Sequence, residues 1–148
     1  MQELSFFNEL VTFLGHHIFL ATLWVAVVVM LIADLVRSAA SGVKALSPQE
    51  LTHRVNREEA VVIDLRSKAE FGKGHIVGSE NLPLEQFNKD GVAELEKYKT
   101  KPIILVCATG MQSGPAAMTL RKAGFSDVHR LAGGIPAWAG ANLPLAKK

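Results

Sequence analysis

The stretch Ile103-Ile104-Leu105-Val106-Cys107-Ala108-Thr109-Gly110-Met111-Gln112-Ser113-Gly114-Pro115-Ala116-Ala117 runs from a block of branched apolar residues, through a short loop, into a helical pattern. An apolar run without polar alternation, here residues 102–107, suits a strand buried on both faces, and residues 113–123 read as a helix ended by Gly124. Working outward, residues 60–65 form a second run of this kind, dominated by β-branched side chains, and residues 128–131 read as a closing strand. Between the runs lie helix signals. Ser47-Pro48-Gln49-Glu50 has the form of a capping box with proline at the first helical position and opens a helix over 48–56. Ser67-Lys68-Ala69-Glu70 repeats the capping pattern, its helix ended by Gly72 and Gly74. Asn81-Leu82-Pro83 predicts a short strand meeting a turn, and residues 92–98 an amphipathic helix. Buried strands alternating with helices predict an α/β fold, a three-layer sandwich with a central parallel sheet.

The N-terminal part is of another kind. The chain has 148 residues, 49% of them apolar, and a mean hydropathy of +0.20. From Leu10 to Val36, 21 of 27 residues are apolar, and no Asp, Glu, Lys or Arg occurs in the 24 residues from Leu10 to Ala33. As a helix those 24 residues span about 36 Å, more than the roughly 30 Å of a bilayer's hydrocarbon core. We expect a short N-terminal segment over 1–12, one transmembrane helix over 13–36, a linker over 37–46 and a soluble domain over 47–148. Thr22 is expected to bond back to the preceding turn. A cleaved signal peptide would carry positive charge before the apolar run, whereas here Glu3 and Glu9 precede it and Arg37 and Lys44 follow it. The positive-inside rule then leaves the N-terminus outside and the domain in the cytosol, anchored in the lipid bilayer. His16 and His17 read as interfacial polar filling, and Trp24 as lipid-facing or packed on another helix.

Composition removes several function classes. One cysteine, Cys107, allows neither an internal disulfide nor a cysteine-rich zinc site. The net charge of +2 comes from scattered residues with no Lys/Arg run, so no nucleic-acid partner is expected. Metal and organic cofactor are expected to be absent.

The thiol is left as the chemical group of interest. It ends a buried strand, and in open parallel sheets ligands bind outside the carboxyl ends of the strands. Amides of the loop and the start of the next helix converge there, which favours a thiolate. Gly110 frees the loop backbone, and Ser113 is expected to cap the helix while its hydroxyl faces the loop. A buried structural cysteine is the alternative. The strand-end position before a glycine-containing loop favours the reactive thiol.

These residues resemble the rhodanese-like sulfurtransferases over roughly residues 47–145. Val62-Ile63-Asp64-Leu65-Arg66 is similar to the family's strand with an Asp-x-Arg end. Glu70-Phe71-x-x-Gly74-His75-Ile76-x-Gly78-Ser79-x-Asn81-Leu82-Pro83 resembles its second signature, Cys107-x-x-Gly110-x-x-Ser113 its active loop, and Leu131-x-Gly133-Gly134-Ile135-x-Ala137-Trp138 its C-terminal signature. With the N-terminal helix, the chain looks like a membrane-anchored rhodanese of the bacterial inner membrane. The resemblance implies sulfur transfer through a persulfide on Cys107, from a small-molecule or protein sulfur donor such as thiosulfate to a thiol acceptor. It also implies a substrate-binding loop of Ala108, Thr109, Gly110, Met111, Gln112 and Ser113, supported by Asp64 and Arg66. Family loops commonly carry a cation at one of the two positions before the serine, where this chain has Met111 and Gln112. Anion binding is therefore expected to rest on backbone amides, the helix terminus and Arg66, and thiosulfate affinity to be weak. A phosphatase of related architecture needs Arg six residues after the cysteine, where this chain has Ser113.

A different class of function stays open: a non-catalytic, membrane-tethered interaction module that binds other membrane proteins. The uncharged loop motivates it. His75, held between Gly74 and Ile76, reads as a hydrogen-bonded structural histidine, and Trp138 as core packing near the rim of the site.

Overall fold

The computed structural model describes residues 8, 9, 11, 12, 15, 17–40 and 42–147, the side chains of 37–40 excepted. The chain divides into two compact units, residues 1–40 and 41–148.

The first unit holds helix α1 (Ile18–Ala40). Its stretch Ile18–Val36 is long and apolar enough to cross a membrane, and none of its residues is buried. Nineteen helical residues rise about 28 Å, close to a hydrocarbon core. The Thr22 hydroxyl donates to the Ile18 carbonyl at 2.9 Å, the expected back-bond that hides its polarity. Phe13 and His16, the expected start of the span and one of the paired histidines, lie outside the described residues, as does most of the expected segment 1–12. The helix runs on through Ala40 into the stretch expected to be a linker. No Gly or Pro interrupts it before Gly42, and Ala39 and Ala40 are strong helix formers.

The second unit runs β1 (Lys44–Leu46), α2 (Pro48–Glu58), β2 (Val61–Asp64), α3 (Lys68–Lys73), β3 (His75–Ile76), β4 (Glu80–Asn81), α4 (Leu84–Leu95), a 3-10 turn (Glu96–Tyr98), β5 (Ile103–Val106), α5 (Ser113–Lys122), β6 (Val128–Leu131), α6 (Gly134–Gly140) and β7 (Leu145–Ala146). Five strands make a parallel sheet in the order β1-β6-β5-β2-β4, and β3 pairs antiparallel with β7. β5 is the centre: Ile103 lies between Val61 and Val128, and Leu105 between Ile63 and Arg130. Because side chains alternate along a strand, β5 feeds two cores. Ile103 and Leu105 pack with Phe87, Leu95, Leu120 and Phe125 beneath α4 and α5, while Ile104 and Val106 pack with Leu51, Leu131, Ile135 and Trp138 beneath α2 and α6. This is the three-layer α/β sandwich with a central parallel sheet that the apolar runs predict.

Both capping boxes are formed, at Ser47/Glu50 and Ser67/Glu70. Gly72 sits inside α3, which ends at Lys73 with Gly74 as its cap. Three further differences have local causes. β1, within the expected linker, is a three-residue edge strand that pairs with distant β6. Helix α4 starts at Leu84 and not at Val92, behind Pro83, which makes no side-chain cap. Its Gly91, a helix-weakening residue in sequence, is a packing requirement, since a Cβ there would come within 2.6 Å of the Phe87 ring. β3, β7 and α6 are too short for periodicity to reveal.

Candidate functional site

All strands of the main sheet point the same way, so the loops following β2, β4, β5 and β6 gather along one edge. Cys107 follows β5 directly and is fully buried. Its loop turns on Gly110, whose φ of +85° suits glycine, and the Gly110 N–H donates to Cys107 Sγ at 3.0 Å. Ser113, also fully buried, closes the ring. The Cys107 thiol donates to Ser113 Oγ at 3.6 Å, and the Ser113 hydroxyl donates to the Gly110 carbonyl at 3.1 Å. Burial alone would push the thiol up, but the Ser113 hydroxyl and the backbone amides of Ser113, Thr109 and Gln112 outweigh it and hold Cys107 below the ordinary thiol value.

Among the expected loop residues, the structure therefore brings Thr109, Gly110, Gln112 and Ser113 to the Cys107 sulfur, the first three through backbone amides only. Ala108 is half-buried and Met111 is 78% exposed; neither is hydrogen-bonded to the sulfur. One expectation is corrected. Ser113 is the first residue of α5, the N-cap position belongs to Gln112 without a side-chain cap bond, and the serine hydroxyl is committed inward to Gly110.

Asp64 and Arg66 form a brace of their own. Arg66 Nε and Nη2 grip the Asp64 carboxylate, the shortest contact being 2.6 Å, and Nη2 also donates to the Gly74 carbonyl at 2.7 Å. Asn81 Nδ2 ties the same turn by donating to the Asp64 and Arg66 carbonyls. The guanidinium is thus turned toward Asp64 and α3's end. His75 is structural as expected: Nδ1 lies 2.9 Å from the Phe71 carbonyl, and its ring stacks on Phe71 at 3.8 Å. Trp138 is buried in the second core and donates through Nε1 to the Pro144 carbonyl.

Two features of the site escape a sequence reading. Arg130, on β6, donates from Nη1 to the Gly110 carbonyl at 3.1 Å and brings to the loop a cation that the loop itself lacks. The Gly133-Gly134 pair lies against the loop backbone. A Cβ on Gly134 would come within 2.3 Å of the Cys107 carbonyl oxygen, and one on Gly110 within 2.9 Å of the Gly133 nitrogen. The pair was visible as a motif; its contact with a loop more than twenty positions earlier was not. Among the described residues no group of three or more His, Cys, Asp or Glu is placed to hold a metal ion.

The family description "Rhodanese-like domain" matches residues 47–141. The chain is 43% identical over 140 residues to YibN of Escherichia coli (strain K12), an uncharacterized protein, covering 95% of this chain and 98% of that one. It is 36% identical over 100 residues to the thiosulfate sulfurtransferase GlpE of Pseudoalteromonas translucida (strain TAC 125), covering 66% and 90%. Among solved structures, a rhodanese-related protein of Thermoplasma volcanium superposes with a TM-score of 0.64 at 24% identity, over 71% of this chain and 99% of that one, a likeness of fold.

Proposed function

The chain belongs to the rhodanese-like family, and from that premise we propose that it is a membrane-anchored sulfurtransferase that carries sulfane sulfur on Cys107. The observation that supports this reading is the buried sulfur with the Gly110 N–H at 3.0 Å and a thiol held below its ordinary value. In the proposed reaction the Cys107 thiolate attacks the outer sulfur of a donor such as thiosulfate. The donor's S–S bond breaks, its electron pair leaves with sulfite, and a persulfide remains on Cys107. An acceptor thiolate then attacks the terminal sulfur, and Cys107 departs as a thiolate. The persulfide is anionic, and inward-pointing amides favour such a charge without a metal. Because the intermediate is covalent and the acceptor brings its own nucleophile, a single cysteine suffices and the kinetics are ping-pong.

The test is intact mass. The full-length protein in detergent micelles is expected to gain one sulfur atom after exposure to thiosulfate or polysulfide, and Cys107→Ser none. A wild-type chain that gains no sulfur from any donor overturns the reading.

The anchoring part of the proposal places Ile18–Val36 across a bacterial inner membrane with residues 41–148 in the cytosol, supported by the acidic residues before the helix and Arg37 and Lys44 after it. Protease added outside intact spheroplasts is expected to leave residues 41–148 uncut and to digest them in inverted vesicles. The opposite pattern reverses the orientation.

A further inference from the structure

Arg130 has an environment that its strand does not explain. It is half-buried on β6, in register with Leu105 of β5. Its side chain passes the start of α5, so closely that a Cβ on Gly114 would touch its Cδ at 3.8 Å. Among the described residues no carboxylate lies within ion-pair distance of it, and its one hydrogen bond is the 3.1 Å donation to the Gly110 carbonyl. The neighbouring charges are spent elsewhere: Asp64 and Arg66 on each other, Asp127 on Arg54 and His129. A partly desolvated cation without a counterion is costly, and here it is spent on a single backbone oxygen of the sulfur loop.

That oxygen has two donors, and one of them is needed twice. The Ser113 hydroxyl carries one proton. While Cys107 is a thiol, its S–H donates to Ser113 Oγ and the serine proton goes to the Gly110 carbonyl. Once the sulfur is anionic it can only accept, and the serine can serve it only by turning its proton away from Gly110. Arg130 is then the donor left on that carbonyl. Gly110 carries at its other end the N–H aimed at the sulfur.

We infer that Arg130 is a positioning residue of the sulfur site: it holds the Gly110 carbonyl while the Ser113 proton turns to the sulfur, and so keeps the Gly110 N–H on the thiolate and on the persulfide. The inference rests on the reading of Cys107 as the sulfur carrier. It also assigns the cation missing from the loop to a neighbouring strand.

The experiment is a pH titration of thiolate ultraviolet absorbance on the full-length protein in micelles, taken as the difference from Cys107→Ser. The chain's single cysteine makes the signal unambiguous. Arg130→Met is expected to move the midpoint up by about one unit, which cuts the thiolate present below the midpoint about tenfold. Alkylation by neutral iodoacetamide is expected to slow in parallel. Arg130→Lys, which keeps the charge and a donor, is expected to restore most of the effect. If Arg130→Met does not fold, as judged by near-ultraviolet circular dichroism, Arg130→Leu, which also lacks a donor, replaces it and is expected to raise the midpoint as well. A wild-type midpoint in the folded Met or Leu variant overturns the inference, including the case in which only the KM for thiosulfate changes, because the arginine then binds the donor and does not position the loop. A raised midpoint in a protein whose wild type accepts no sulfur leaves the role of Arg130 standing and removes the persulfide reading.

Discussion

Gly134→Ala is expected to lower the melting temperature by more than about 10 °C and to suppress sulfur loading of Cys107. Gly134 has φ +63°, where a side chain costs about 1–2 kcal/mol. The new Cβ would lie 2.3 Å from the Cys107 carbonyl oxygen and 2.9 Å from the carbonyl carbon and oxygen of Ala108. These are backbone atoms, so no rotamer change relieves the clash, and the overlap adds about 1–3 kcal/mol. A total of about 3 kcal/mol shifts the midpoint of a domain of roughly 100 residues by more than 10 °C. The clash falls on the residue that carries the sulfur, and the Ile135 N–H donation to the Cys107 carbonyl, 3.2 Å long, breaks with it. Gly140→Ala is the control: a Cβ there meets nothing within 4 Å, and melting is expected to stay close to wild type. Thermal circular dichroism and intact mass check both outcomes. An unshifted melt in Gly134→Ala would mean that the two loops are not packed backbone to backbone.

Asp64→Ala is expected to cost about as much or more. The pair is deep, Asp64 being 1% and Arg66 9% exposed, and the carboxylate takes donations from Arg66 Nε and Nη2 and from the Arg66 backbone N–H. Removing one partner leaves a buried guanidinium uncompensated, a loss of about 3–5 kcal/mol. For a domain of this size that is a fall of about 15 °C in melting temperature. Replacing both residues, Asp64→Leu with Arg66→Met, removes the stranded charge and is expected to recover most of the loss. Recovery separates the electrostatic account from simple loss of packing; a double variant no better than the single one contradicts it.

The readable and unreadable parts of this chain differ in how far their causes reach along it. β2 and β5 announce themselves as apolar runs because both faces are covered. The two capping boxes are read locally because their hydrogen bonds close within three residues. Cys107 and Gly110 follow from strand-then-loop order alone. Arg130 could not be read in this way: its strand is evident, but the carbonyl it serves belongs to a loop twenty residues earlier. The pattern over residues 92–98 marks only the end of α4, because Gly91, a helix-weakening residue, sits inside the helix where it leaves room for Phe87. Ser113 reads as a cap because serine before a helix commonly caps, yet a nearby carbonyl and a sulfur compete for the same hydroxyl.

The order of strands in the sheet also sets a timetable. Among the described residues β1 is the first strand to be synthesised, and its ladder is with β6, Lys44 opposite His129. β3 in turn waits for β7, His75 opposite Ala146. Neither can be satisfied while the chain between them is still on the ribosome, and pairings of such long sequence separation are slow to close. The apolar helix emerges well before any of this. Under the proposed anchoring, its entry into a bilayer is decided while the domain behind it is still unfolded, and the sulfur loop, which needs β6 and the Gly133-Gly134 turn to complete it, is among the last parts to take shape.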